Sequence, residues 1–291
     1  MAERVGVVGG GLMGSGIAYT VVLKSDAVVS IMEVNDELLE RCRQRMSKLI
    51  QTGVQRGAIT SEQATQIGGR VRYVTDLSAI GPAEIVVEAV FEEVPVKQKI
   101  FEQLDKLYPP QTILASNTSG LSITEIASVT RHPERVIGTH FFNPVPVMKL
   151  VELVCGARTA EGTVAYARQF CEGLGKEAVV ARDMPGFITT RVGQAYMCEA
   201  LRCLEEKVGT AEDIDKGVRL AYNFPMGPFQ LIDLIGLDTE LKIMDSLVRD
   251  LGPRFDPGPI MRQMVADNRL GRKSGRGFFD YEPKPDKPAK P

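Results

Sequence analysis

Between Val5 and Leu23 the chain carries no charged residue and six glycines, three of them consecutive as Gly9, Gly10 and Gly11. An uncharged stretch this long invites comparison with a membrane span or a signal peptide. The glycine triplet would break a spanning helix, and Arg4 alone makes no basic leader, so the segment reads as part of a soluble fold. What remains is a strand, a turn and a helix in succession. The run RVGVV (residues 4–8) is the strand, and Gly9, Gly11 and Gly14 then fall in the spacing G-x-G-x-x-G. Each glycine has a mechanical reason there. Gly9 permits the tight turn, Gly11 lets a pyrophosphate approach the backbone, and Gly14 lets the helix pack closely on the strand. With Gly10, Leu12 and Met13 between them, these residues present a helix N-terminus to phosphates. A glycine-rich turn without a ligand is the alternative. The next strand ends at Met32-Glu33, about 20 residues beyond the last glycine, where an acid receives a ribose 2′-hydroxyl. A carboxylate repels a 2′-phosphate, and neither Val34 nor Asn35 would hold one, so the expected cofactor is NAD rather than NADP.

The same grammar repeats through the first 180 or so residues. The runs VVSIM, VRYV, EIVVEA, TILAS, RVIGTHF, KLVELV and EAVVA are short and apolar, and helical patterns at 36–56 and 94–108 lie between them. Strands alternating with helices predict βαβ units and a parallel sheet covered on both faces, hence an α/β, Rossmann-type doubly wound domain. From Phe187 onward strand candidates disappear. Pro185 and Gly186 precede a long helical pattern at 187–207, followed by others at 210–221, 227–249 (broken near Gly236) and 257–267. The expected organisation is a nucleotide-binding domain over 1–183 and a smaller all-α domain over 184–282. A tail over 283–291 alternates prolines with lysines and has nothing to bury. A long, largely apolar first helix in the second domain predicts a homodimer formed through it.

Composition excludes more than it specifies. At a net charge of −2 the surface has no general pull on nucleic acid or anionic membrane, so a charged ligand needs a local site. Five cysteines (Cys42, Cys155, Cys171, Cys198 and Cys203) form an odd set without a CxxC pair. That argues for reduced thiols in the cytoplasm, against a disulfide framework and against a bound metal.

Only two histidines are present. His132 lies in the polar turn RHPER, a surface setting. His140 ends the run VIGTH, and the carboxyl end of a parallel strand is where sites form in such sheets. Imidazole suits the removal of a hydroxyl proton near neutral pH. Glu152 lies inside the apolar run LVEL, where a carboxylate is costly without a partner. A hydrogen bond to His140 would satisfy it; an edge-strand glutamate turned to solvent is the other reading. Ser116, Asn117, Thr118 and Ser119 close a strand, where they either cap a helix or donate hydrogen bonds to a substrate and a nicotinamide.

The strings SNTS (116–119), HFFNPVPVMKLVE (140–152), PGF (185–187), PMGPFQLIDLIGLD (225–238) and KSGRGFFDY (273–281) occur in this order. Together they resemble the 3-hydroxyacyl-CoA dehydrogenases over nearly the whole chain. The resemblance implies NAD-dependent oxidation of an (S)-3-hydroxyacyl-CoA, short-chain for a chain of this size, to the 3-oxoacyl-CoA. It implies His140 as general base paired with Glu152, and Ser119 in contact with the substrate C3 oxygen and the cofactor. Asn143 would hold nicotinamide, while Glu92 and Lys97 of VEAVFEEVPVK and Lys273 of KSGRGF would be cofactor contacts. Lys48 and Arg56 lie where the family receives the CoA phosphates, with solvated charge as the alternative. Oxidation of a free hydroxy acid or sugar acid on the same fold, or NAD binding without turnover, are the competing functions. One position departs from the pattern: the family commonly has asparagine where this chain has Thr190, which lacks an amide's paired donor and acceptor.

Overall fold

The computed structural model describes residues 2–281, so the expected tail over 283–291 lies outside the described residues. Packing divides the chain into two compact units, with the division between Phe187 and Ile188. The packing boundary falls a few residues beyond the sequence-derived one because Phe187 is buried in the core of the first unit.

The first unit holds eight strands: β1 (Arg4–Val8), β2 (Val28–Met32), β3 (Val71–Val74), β4 (Ile85–Glu88), β5 (Ile113–Ser116), β6 (Val136–Phe141), β7 (Leu150–Cys155) and β8 (Glu177–Arg182). Its helices are α1 (Leu12–Lys24), α2 (Asp36–Gln55), α3 (Ser61–Gly69), α4 (Val94–Leu107), α5 (Ile123–Ala127) and α6 (Glu161–Gly173). The strand order is β3-β2-β1-β4-β5-β6-β7-β8, a doubly wound sheet whose direction of winding reverses between β1 and β4. That reversal opens a crevice at the carboxyl ends of the two strands.

Burial on both faces explains why the central strands are apolar without alternation. Ile85 and Val87 belong to one core cluster, and Val86, between them, to the other. The sheet differs from the expected all-parallel one at a single place, where β6 and β7 run antiparallel. Residues 142–149 make that connection, and so short a link turns a strand back but cannot carry it across the sheet. β7 and β8 are again parallel, with α6 between them.

The second unit is helical: α7 (Thr189–Glu205), α8 (Ala211–Tyr222), α9 (Pro228–Ile235), α10 (Leu237–Leu251) and α11 (Gly258–Ala266). Its core gathers Cys198, Leu201, Phe229, Ile232, Leu237, Met244 and Met261. The break near Gly236 is real, and the residue takes φ +111°, a conformation that separates α9 from α10. Buried Asp233 accepts hydrogen bonds from Phe278 N (2.9 Å), Phe279 N (3.0 Å) and Tyr281 OH (2.9 Å), tying the KSGRGFFDY segment to α9. Among the described residues no helix is long and apolar enough to cross a membrane.

Candidate active site

The glycine loop joins β1 to α1 at the crevice. Gly9 has φ +96°, and a Cβ there would lie 2.7 Å from the Ala89 carbonyl oxygen. A Cβ on Gly14 would collide with the Gly9 carbonyl oxygen, so helix and strand touch only because the position is glycine. A Cβ on Gly11 would meet nothing. Its absence clears the space before α1, whose N-terminus has no side-chain cap and no acid in its first turn. Uncapped amides over a cleared space fit a diphosphate. Leu12 is exposed and Met13 half-buried beside them. Gly10 has a different constraint: a Cβ would lie 2.5 Å from Cys42 Sγ, whose thiol burial pushes up.

Glu33 follows β2, and its Oε1 accepts from Gly10 N at 2.7 Å. It lines a cleft of about 510 Å³ with Val8, Met32, Val34, Leu77 and Val90. A largely apolar slot with one carboxylate, also lined by Lys99 and Gln103, fits an adenosine, its ring between apolar side chains and its ribose at the acid. The residues present therefore suit NAD.

His140 and Glu152 are directly opposed across β6 and β7. His140 Nδ1 and Glu152 Oε2 lie 2.8 Å apart; the Glu152 side chain is fully buried and His140 is 7% exposed. The imidazole packs on Phe142 (4.3 Å between ring centroids) and edge-on to Phe187 (6.1 Å). Two further groups fix this strand end. Asn117 Oδ1 accepts from Phe141 N at 3.0 Å, joining the ends of β5 and β6. Buried Lys176 donates to Val145 O (2.5 Å) and Met148 O (2.7 Å), bracing the loop that carries Asn143. Burial and the nearby Lys24 charge pull the Lys176 ammonium below the usual lysine value.

Ser119 and Asn143 are exposed. Ser119 N donates to Glu92 Oε1 at 2.7 Å. Lys97 is fully buried, with Nζ 2.7 Å from Glu88 Oε1 and 3.3 Å from Glu92 Oε2. Lys48 lines a hollow of about 310 Å³ with Leu12, Arg45, Leu49, Asn143 and Val145, whereas exposed Arg56 caps the far end of α2 and does not line it. Lys273 belongs to the helical unit, where it donates to Asp238 Oδ1. Sequence reading missed Glu88, Cys42 and Lys176. For Glu88 a signal existed, an acid ending the apolar run IVVE much as Glu152 interrupts LVEL. For the other two none did, since their contacts are set by packing.

Comparison with known proteins bears on both units. Residues 4–184 match the model of the 3-hydroxyacyl-CoA dehydrogenase NAD binding domain, and residues 186–281 match that of its C-terminal domain. The chain is 44% identical to the probable 3-hydroxybutyryl-CoA dehydrogenase of Bacillus subtilis, over 97% of this chain and 98% of that one. It is 40% identical to the 3-hydroxybutyryl-CoA dehydrogenase of Mycobacterium tuberculosis, over 96% and 98%. The crystal structure of the (S)-3-hydroxybutyryl-CoA dehydrogenase of Ralstonia eutropha superposes with a TM-score of 0.92 at 36% identity, covering 97% of this chain and 100% of that one. Matched in both units and along nearly its whole length, the chain belongs to the 3-hydroxyacyl-CoA dehydrogenase family of NAD-dependent oxidoreductases.

Proposed function

We propose that the enzyme oxidises short-chain (S)-3-hydroxyacyl-CoA thioesters such as 3-hydroxybutyryl-CoA, with His140 as general base. The observation that carries the base assignment is the fully buried Glu152 carboxylate 2.8 Å from His140 Nδ1. An ionised carboxylate only accepts, so Nδ1 carries the proton and Nε2 keeps the lone pair that takes the substrate's hydroxyl proton. The imidazolium so formed is balanced by Glu152 in a dry setting of Phe142 and Phe187 rings. NAD, when bound, supplies the acceptor for the hydride leaving C3. Ser119 contacts the C3 oxygen and the cofactor, Asn143 orients the nicotinamide, Glu33 takes the ribose, and Glu92 and Lys273 are further cofactor contacts. Lys48, at the rim of the hollow that Asn143 also lines, receives CoA phosphate together with Arg56. The short-chain and stereochemical reading is supported by the names of the relatives just described.

The helical unit mediates a homodimer, supported by exposed apolar residues there, Val192, Val208, Leu220 and Tyr222 among them. Five unpaired cysteines support a reducing, cytoplasmic setting. Half-buried Thr190, in the first turn of α7, stands in for the family's asparagine at the substrate.

NADH consumption with acetoacetyl-CoA, beside free acetoacetate, tests the substrate. Rapid oxidation with the thioester alone is expected, and equal rates with the free acid would defeat the CoA assignment. Thr190→Asn should raise kcat/KM by about 2- to 10-fold, the worth of one hydrogen bond, and no gain would remove residue 190 from the substrate site.

A further inference from the structure

Glu88 and Lys97 make a fully buried ion pair, with both side chains at 0% exposure. Glu88 ends β4, and its carboxylate is completed by Val90 N (2.7 Å, also on Oε1) and Ser116 Oγ (2.6 Å, on Oε2). Lys97 projects from the first turns of α4. Its ammonium reaches a second carboxylate, Glu92 Oε2, at 3.3 Å. Glu92 differs from Glu88 in being 44% exposed. Its other oxygen, Oε1, accepts from both Ser119 N (2.7 Å) and Thr118 Oγ1. Because the Thr118 hydroxyl spends its proton on Glu92, its lone pairs are left for Gly120 N (3.2 Å) and Leu121 N (2.8 Å). One carboxylate therefore organises the whole turn after β5.

We infer that Lys97 is a positioning residue for that turn, and through it for Ser119. Glu88 pins the ammonium, the ammonium fixes the Glu92 carboxylate, and Glu92 sets the backbone that presents the Ser119 hydroxyl. The inference rests on the reading of Ser119 given above. A half-exposed glutamate left to itself keeps its rotamer freedom and prefers solvent. A buried cation offsets that freedom, at the cost of its own desolvation, which Glu88 compensates. A pair serving stability alone would need only Glu88; contact with the exposed Glu92 is what directs it to the crevice.

The experiment separates positioning from burial. Lys97→Met alone strands the Glu88 charge, so it is made together with Glu88→Gln, which removes both charges at once. The double variant should melt near the wild type yet lose about 10- to 100-fold in kcat with acetoacetyl-CoA at saturating NADH. Adding Glu92→Ala to it should lower kcat at saturating NADH little further, because the relay is already broken. Wild-type kcat in a stable double variant, or losses that multiply in the triple one, would overturn the inference. Glu92→Ala alone, at a half-exposed position, keeps the test open should the double variant fold poorly. It should lower kcat at saturating NADH, whereas normal kcat with a raised Kd would make Glu92 a cofactor contact only and defeat the relay. Ser119→Ala is run in parallel. If it keeps wild-type kcat, the role of Ser119 falls, whatever the relay variants show.

Discussion

The sheet of the first unit buries charge at both of its ends, and the two ends use it differently. At the ends of β1, β4, β5 and β6 that form the crevice, the pairs Glu88–Lys97 and Glu152–His140 each lead outward, to half-exposed Glu92 in one case and to an imidazole at the surface of the core in the other. At the opposite end, Arg135 precedes β6 with its side chain 2% exposed. Its guanidinium donates to Asp105 Oδ1 (2.8 Å) and to the carbonyls of Asp105 (3.1 Å), Tyr108 (3.1 Å), Thr112 (3.4 Å) and Pro109. Those partners lie on the turn between α4 and β5 or flank it. The network clasps that turn to the start of β6, and where it reaches solvent, through Arg131 (3.3 Å from Asp105 Oδ2, 71% exposed), it does so on the amino-terminal side of β6, away from the crevice. Buried charge by itself therefore does not mark a site. What marks one is a buried network with a member left open toward a crevice, and the distinction is measurable, because the crevice pairs should govern rate and the far pair stability.

The largest effect expected is on rate. His140→Gln keeps a donor for Glu152 and removes the base, and should lower kcat by about 10²- to 10⁴-fold with NADH affinity and melting temperature close to the wild type. Near-normal turnover would end the assignment and, with it, the contrast between the two ends. Arg135→Met should do the reverse, costing about 3–5 kcal/mol of stability because it removes the buried partner of Asp105 and leaves only the exposed Arg131, while kcat below the transition is retained. The same pair predicts an acid dependence. Burial pushes the Asp105 carboxyl up, but hydrogen bonds from Arg135 and Arg131 outweigh it and hold the group below its usual value. A depressed carboxyl contributes its full stabilisation above the unfolded value of about 3.9 and loses it as pH falls through the lower folded value. Arg135→Met removes the largest of those bonds, so Asp105 should contribute less to the acid limb, and denaturant curves taken at falling pH should bring the variant closer to the wild type. An unmoved limb would mean that Asp105 is not what titrates.

How much of this was legible in the sequence depended on range. Strands buried on both faces announce themselves as continuous apolar runs; all eight strands were visible as short apolar runs, although the edge strands β3 and β8 are mostly half-buried or exposed. Helix ends followed local signals, such as the Asn35 cap of α2, whose side chain accepts from Leu38 N, and the glycine between α9 and α10. Register and strand direction are not local. From composition, Glu152 was as compatible with solvent as with His140, because nothing in LVEL says that β7 runs back beside β6. The relay was less visible still. Ser116 and Glu88 lie 28 residues apart and Ser119 and Glu92 lie 27 apart, and only adjacent β4 and β5 bring them together. Resemblance supplied names for Glu92 and Lys97 but not the fact that one is open and the other sealed.

Glu33 is a third kind of charge, half-exposed and, among the described residues, not paired with a cation, and it should give the smallest effect. Its Oε1 accepts a single backbone hydrogen bond, from Gly10 N. If rate belongs to the crevice pairs and stability to the far one, this residue should touch affinity alone. Glu33→Ala is expected to weaken NADH binding by about 3- to 10-fold, the scale of one lost hydrogen bond, with kcat at saturation and melting temperature unchanged. The carboxylate also repels a 2′-phosphate, so NADPH should lose less affinity than NADH, or gain some, and the preference between them should narrow. An unaltered preference would place cofactor choice elsewhere along the cleft, and a fall in melting temperature would make the Gly10 contact a strut of the glycine loop. A loss in kcat at saturation would break the division more deeply, because it would show that a charge outside the buried networks helps set the geometry in which His140 acts.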